Sequence, residues 1–531
     1  MKPGRMTVTP RQTLTQVRIH ITGGSIVARL RRIGIEPAKS FDHEGPDPSV
    51  QQALDEAATD GLKGMYVKVP TVARAIDALR LPQALLALLT LLTWTSSSIC
   101  AQTRDFTAGL DVLLQQRHYV ELEHALVTSE SELPPSSLAY FQGVLANRIN
   151  HVQKSVRLLE PLIPTLLSHN PVRAELALCT LADDYARSFR YGNAATFYAQ
   201  ANRLAEQQEK NSECSAGREA SRWGLLINAR AQTVTTAGVF TVRGKRDNLG
   251  LFQVSITSGN YTGSWIVDSG ANISVVSRSV ANKLGVETST GSETAQGIAG
   301  LSVSIRTGVI PEIRLGPALL RNVAVLVVED SDLSFPKFDY RIEGSLGLPV
   351  LAALGRVTFH QDGRINFSPV ERAPDKATGS HNFFLEKFTP LISADFGHGT
   401  QLFTLDTGTI GTVLSAEFYQ ENTGIANVNE LDSLELSGAG GTLALTAYQV
   451  PSLVAKFGGS CARVKDLAIL TEATGVPNEF YGTIGENALS SFSSFTLDFH
   501  AMHFSVNGGN PGDCTDSVTL ASSERRGKSA R

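Results

Sequence analysis

From about Thr103 to Val234 the chain shows no alternation of apolar and polar positions and is rich in Ala, Leu, Gln, Glu and Arg. Those residues favour helix, and the segment 102–234 is predicted to be helical. Past Gln232-Thr233 the texture changes. Short β-rich runs, VFTV (239–242), LFQVSI (251–256), SWIVD (264–268), VTF (357–359) and INF (365–367), alternate with Gly, Asn and Asp. Such runs, with turn residues between them, predict an all-β region reaching about Val506. A polar connector around Glu371–Ser380 divides it into halves at 235–375 and 376–512. The tail 513–531 is polar and carries no apolar period.

Within the helical segment, LAYFQGVLANRINHVQKSVRLLEPLI (138–163) and ALCTLADDYARSFRYGNAATFYAQANRLAE (177–206) resemble tetratricopeptide-type helical hairpins. In the second, Leu181, Ala182, Tyr185, Ala194, Tyr198 and Ala201 fall where that repeat packs its small and bulky residues, and Gly192-Asn193 is expected to turn between the helices. In the first, Gly143, Leu159 and Leu162 fit. The spacing of the two stretches is somewhat longer than that repeat's usual period of about 34 residues. The resemblance implies a surface for a protein partner; a plain helical bundle is the alternative.

Upstream, Leu81 to Thr95 (LPQALLALLTLLTWT) follows Lys68, Arg74 and Arg80 and precedes small polar residues and Ala101. A basic flank, a short apolar stretch and a small residue form the pattern of a secretory signal peptide. Residues 65–101 are read as that signal, with a membrane anchor or a buried helix as alternatives, and Met65 as the expected start of translation. Residues 1–64 remain unassigned and are expected not to be translated. An exported chain, periplasmic or extracellular, reaches an oxidising compartment with Cys179, Cys214, Cys461 and Cys514. Of three pairings, Cys179–Cys214 with Cys461–Cys514 is the most local.

The 531 residues suffice for about three or four domains. A net charge of −4 excludes a dominant nucleic-acid footprint. No His-Glu-x-x-His, Cys-x-x-Cys or Gly-x-Ser-x-Gly occurs, so the motifs point to no metal site and to no serine nucleophile elbow.

Two triplets carry the candidate chemistry. Asp268-Ser269-Gly270, followed by Ala271, comes after Trp265-Ile266-Val267; Asp406-Thr407-Gly408, followed by Thr409, comes after Leu402-Phe403-Thr404-Leu405. Gly344 follows Asp268 at the same interval at which Gly482 follows Asp406. Gly347 and Gly485 likewise stand equally far beyond their respective aspartates. One constant shift along the chain therefore superposes all three landmarks without a gap, carrying Asp268, Gly344 and Gly347 onto Asp406, Gly482 and Gly485. Such agreement reads as an internal duplication.

Residues 235–510 resemble the pepsin/retropepsin superfamily of aspartic proteases, most closely the bacterial retropepsin-like members. In that family each lobe supplies an Asp-Thr/Ser-Gly loop and a later hydrophobic-hydrophobic-Gly strand. Here Ser345-Leu346-Gly347 and Thr483-Ile484-Gly485 take the later place, with a first position less apolar than usual. The resemblance implies a multidomain chain: an all-β, two-lobed, internally duplicated acid-protease fold preceded by an all-α helical-hairpin domain. It implies an aspartic endopeptidase with Asp268 and Asp406 as catalytic pair and no cofactor. Ser269 and Thr407 would bond across to the opposite loop, with Gly270, Gly408, Ala271 and Thr409 completing the loops.

Two carboxylates about 3 Å apart cannot both ionise cheaply, so one keeps its proton and the pair can act as base and acid. A hydroxyl at the fourth position favours the ionised carboxylate; Thr409 offers one and Ala271 does not. That predicts a pH optimum less acidic than in a protease with hydroxyls on both sides. Gln296-Gly297-Ile298-Ala299-Gly300 and Ser437-Gly438-Ala439-Gly440-Gly441 are candidate flap tips, with Gly297, Gly300, Gly438 and Gly440 as their glycines. With both halves in one chain, a monomer is expected to suffice, acting on a peptide or protein substrate. No nucleic acid is implied, and a membrane only if 81–95 stays uncleaved. The rival reading is a non-catalytic peptide-binding or protein-interaction module.

Overall fold

The structure is a computed structural model that describes residues 106–291, 293–296, 302–369, 381–397, 399–424, 430–473 and 480–509. The apolar segment 81–95, Cys100, Gly297, Gly300, Cys514 and the tail 513–531 lie outside the described residues.

The helical region comprises α1 (106–115), α2 (Tyr119–Thr128), α3 (Pro135–Arg148), α4 (Val152–Leu159), α5 (Ile163–His169), α6 (Pro171–Arg187), α7 (Tyr191–Gln207) and α8 (Ala216–Gly224). Asn170 caps α6 by accepting the Arg173 N–H, and Pro171 begins it where a missing N–H costs nothing. Leu181, Ala182, Tyr185, Ala194, Tyr198 and Ala201 are all buried in the core between α6 and α7. Gly143 lies against Leu159, whose side chain occupies the space a Cβ would need.

The turn between α6 and α7 is not at Gly192-Asn193. It falls at Ser188-Phe189-Arg190, where Phe189 takes φ 57° and the Arg190 N–H donates to the Tyr185 carbonyl. The chain has therefore reversed before Gly192, which belongs to the first turn of α7 and lies against Ile227. A disulfide joins Cys179 in α6 to Cys214 before α8. Cys461 is disulfide-bonded as well.

The first β half holds β1 (Thr233–Thr235), β2 (Phe240–Arg243), β3 (Lys245–Arg246), β4 (Phe252–Ser258), β5 (Tyr261–Val267), β6 (Ser274–Ser277), β7 (Glu293–Gln296), β8 (Ser302–Leu315) and β9 (Ala318–Val328). There follow β10 (Ser334–Phe335), β11 (Tyr340–Arg341), β12 (Gly344–Leu346), β13 (Arg356–His360) and β14 (Arg364–Ser368), with helices α9 (Arg278–Lys283) and α10 (Leu348–Ala353) between strands. The second half holds β15 (Phe383–Glu386), β16 (Thr389–Asp395), β17 (Thr400–Leu405), β18 (Val413–Leu414), β19 (Glu430–Gly438), β20 (Gly441–Phe457) and β21 (Ser460–Leu470). It ends with β22 (Gly482–Ile484), β23 (Ser494–Asp498) and β24 (His503–Asn507), and its helices are α11 (Ala416–Glu421) and α12 (Glu486–Leu489).

Both main sheets place the aspartate loops alike. β12 lies parallel to β5 and antiparallel to β6, while β22 lies parallel to β17 and antiparallel to β18. The bounds of β22 and β23 are those of β12 and β13 moved by the shift that carries Asp268 onto Asp406, and α11 repeats α9 at the same offset. A five-stranded sheet in the order β2-β14-β13-β23-β24 ties the halves together. At its centre Thr358 pairs with Thr496, its own counterpart under that offset, and their hydroxyl oxygens are 2.9 Å apart. Phe359 and Phe495 stack beside them with ring centroids 4.6 Å apart.

The helical region packs on the β15–β16 hairpin of the second half. Glu386 Oε2 accepts from the Tyr119 hydroxyl at 2.7 Å and from Arg117 Nε at 3.1 Å, while Arg148 Nε donates to the Tyr119 hydroxyl at 3.2 Å. Arg187 Nε donates to the Lys387 carbonyl at 3.0 Å, and Trp223 meets Phe388 with centroids 5.6 Å apart. This face of the helices is already occupied by the protein itself.

Candidate active site

β5 is a fully buried apolar strand at its end, Trp265-Ile266-Val267, so it delivers Asp268 to the floor of the first half with little freedom. The Asp268 N–H donates to the Leu346 carbonyl and the Asp406 N–H donates to the Ile484 carbonyl, both at 3.0 Å. Each aspartate thus hangs from the strand threaded beside it.

The loops then interlock. Ser269 N–H donates to Thr407 Oγ1 at 3.0 Å, and Thr407 N–H donates to Ser269 Oγ at 3.1 Å. The Ser269 hydroxyl donates to the Leu405 carbonyl at 2.8 Å, and the Thr407 hydroxyl donates to the Val267 carbonyl at 2.7 Å. Ser269 and Thr407 are both 0 % exposed, so these four bonds are shielded from competing water.

Gly270 and Gly408 are required by the approach itself. A Cβ on Gly270 would fall under 3.0 Å from the Asp406 carboxyl, and one on Gly408 would crowd that of Asp268 as closely. Each carboxyl therefore sits against the glycine of the opposite loop. Burial, reinforced by the charge of Asp406, raises the pKa of Asp268 above the usual carboxylate range. Burial also raises that of Asp406. Backbone donors work the other way: Ala271 N–H reaches Asp268 Oδ1 at 3.0 Å and Gly408 N–H reaches Asp406 Oδ1 at 2.8 Å. Burial prevails over these donors, and a pair that resists double ionisation is the result.

The fourth loop positions behave differently from expectation. Among the described residues the Thr409 hydroxyl makes no hydrogen bond to Asp406, and its methyl lies against Gly485. Instead the Ala271 carbonyl accepts the Leu348 N–H at 2.8 Å and the Thr409 carbonyl accepts the Glu486 N–H at 3.0 Å.

Residues 252–350 match the aspartyl protease family model. The matched stretch includes Asp268 and β12, and Asp406 lies beyond it. Among curated proteins, none matches the chain.

Beside the two aspartate loops stands a charged pair not foreseen from the sequence. Glu486, 4 % exposed, accepts Arg246 Nη1 at 2.8 Å, joining β3 of the first half to α12 of the second. Burial, with added repulsion from Asp406 and Asp247, pushes Glu486 up to about 7 despite Arg246. The signal for it was a mismatch: under the offset that relates the halves, Glu486 stands where the first half has Leu348.

The hairpin β19–β20 brings Gly438 and Gly440 to the first half. The Gly440 N–H donates to the Asp332 carbonyl at 3.3 Å, and Ala439 packs on Val303, Ile305, Val328 and Leu333. A cavity of about 410 Å³ lies elsewhere, between the helical region and the second half, lined by Arg117, His381, Ser393 and Phe480. Neither aspartate lines it.

Proposed function

We propose that the protein is an aspartic endopeptidase in which Asp268 and Asp406 hydrolyse a peptide bond through one shared water and one shared proton. The observation that carries this reading is the reciprocal bonding of the two aspartate loops, which holds two pKa-raised carboxyls together. The ionised carboxylate takes a proton from the water as its oxygen bonds to the carbonyl carbon. The protonated partner gives its proton to the carbonyl oxygen, forming a tetrahedral diol. The pair's remaining proton then passes to the amide nitrogen, the C–N bond breaks as a diol hydroxyl returns a proton to the pair, and a carboxylic acid and an amine leave. The pair ends with one proton, as it began, so neither residue is permanently acid or base.

The two halves are read as an internal duplication, supported by the constant offset between their elements and the self-pairing of Thr358 with Thr496. A single chain then contains both aspartates, and a monomer is competent. The Cys179–Cys214 disulfide supports an exported protein. Among the described residues no helix is long and apolar enough to cross a membrane. The β19–β20 hairpin is read as a flap that must lift to admit an extended peptide, and the helical hairpins as a tetratricopeptide-like recruiting domain.

Purified protein incubated with a peptide library, beside Asp268→Ala and Asp406→Ala, tests this reading. Cleavage by the parent and by neither variant is expected. Unchanged cleavage in either variant overturns the mechanism, and peptide binding without cleavage by the parent assigns the fold to recognition alone.

A further inference from the structure

Neither aspartate loop sends a side-chain hydroxyl to its own carboxyl: Ala271 has none, and Thr409 turns its methyl to Gly485. A buried hydroxyl on another element stands beside the strand that ends at the first aspartate. β12 is held between β5 and β6, with Ser345 paired to Ile266 on one side and Val275 on the other. The next residue, Leu346, accepts the Asp268 N–H, so Ser345 sits one step along the strand from which Asp268 hangs.

Ser345 is 2 % exposed, and its Oγ is buried with no conventional hydrogen-bond partner among the described residues. A buried hydroxyl without a partner is costly, and a strand of this kind would pack better with an apolar residue there. Its following neighbour Leu346 is wholly buried, as is Ile484 in the other half. Ser345 pairs with Ile266, two residues before Asp268 and hence on the same side of the strand, and its hydroxyl draws the pKa of the Asp268 carboxyl down against the upward push of burial. Bonds to reacting groups are often long before substrate is bound and tighten in the complex.

We propose that Ser345 is a positioning residue that donates its hydroxyl to the Asp268 carboxyl from β12, holding that carboxyl towards the water it shares with Asp406. The inference rests on the hydrolytic reading of the pair. A hydroxyl donor stabilises the carboxylate, so its loss makes Asp268 ionise at higher pH, and the acidic limb of the rate profile moves upward.

The test compares Ser345→Thr with Ser345→Val, which share size and branching and differ by the hydroxyl, alongside Ser345→Ala. Ser345→Thr is expected to keep the parent pH profile. Ser345→Val and Ser345→Ala are expected to lose about three- to tenfold in kcat, with KM unchanged and the acidic limb raised by about half a pH unit or more. Carbon-13 titration of the Asp268 carboxyl reads the same contact without any turnover and is expected to show the same upward move. Identical titration of Asp268 in the Thr and Val variants overturns the role of Ser345. Parent cleavage that survives Asp268→Asn overturns the hydrolytic reading instead, and the carboxyl titration then still decides the contact.

Discussion

Ser269 and Thr407 exchange hydrogen bonds with each other across the two halves, each N–H donating to the other's hydroxyl oxygen, at 3.0 and 3.1 Å. Each hydroxyl then donates a hydrogen bond to a carbonyl of the opposite strand end. The donors and acceptors of both loops are thereby satisfied only when the halves are joined. Position, not strength, is the main product of this exchange, because the aspartates are the residues immediately before.

Ser269→Ala leaves the Thr407 N–H and the Leu405 carbonyl without their partner in a dry interior. Each stranded group costs about 1–3 kcal/mol. Denaturant unfolding of this variant is expected to show that loss, together with reduced cleavage. Thr407→Ser keeps the hydroxyl and is expected to remain close to the parent in both. Equal stability of Ser269→Ala and the parent would remove the interlock from the account.

The hairpin β19–β20 crosses to the first half through apolar contact of Ala439 and one backbone bond from Gly440. Lys337 and Glu435 add an ion pair at 2.5 Å, but both side chains are more than half exposed, so water and salt weaken it. Ala439→Asp is expected to release the hairpin tip, speeding hydrogen exchange along β19–β20 and raising KM severalfold. Lys337→Ala is expected to change neither much. If Ala439→Asp leaves both exchange and KM as they were, the hairpin is not a gate.

The pH dependence follows from the raised carboxyls. Both members of the pair hold protons more tightly than an exposed aspartate near ~4. The rate profile is therefore expected to peak well above pH ~3. Glu486, raised to about 7, is neutral below that pH and charged above it. Once charged, it opposes ionisation of Asp406. Glu486→Gln keeps an acceptor for Arg246 and deletes the charge, so the pair is expected to lose its last proton at lower pH. The basic limb should fall by up to about 1 pH unit. A limb that stays in place, or rises, contradicts this coupling.

Much of this arrangement was legible in the chain. The Asp-Ser-Gly and Asp-Thr-Gly triplets each follow an apolar run, and two equal intervals already paired Asp268 with Gly344 and Asp406 with Gly482. Local texture also marked the passage from helix to strand, because periodicity is a property of neighbours. Contacts between distant residues were not legible. Arg246 and Glu486 come from opposite halves, and Glu386 meets Tyr119 and Arg117 only after the helices dock. The turn was misplaced at Gly192-Asn193 because glycine and asparagine favour reversals, yet Phe189 takes the left-handed conformation, and Gly192 is small to make room for Ile227. Thr409 was misjudged for a related reason: residue type names a donor, but its methyl, not its hydroxyl, lies against the neighbouring Gly485.

Two carboxyls that act as one unit lose activity non-additively when they are removed. Cleavage rates would be compared for Asp268→Asn, Asp406→Asn and the double variant. Each single change is expected to lower kcat by about 10²–10⁴ or more, and the double change to fall no further than the more damaging single one. Losses that multiply, or one single variant that cleaves like the parent, would show that the two aspartates do not share the reaction.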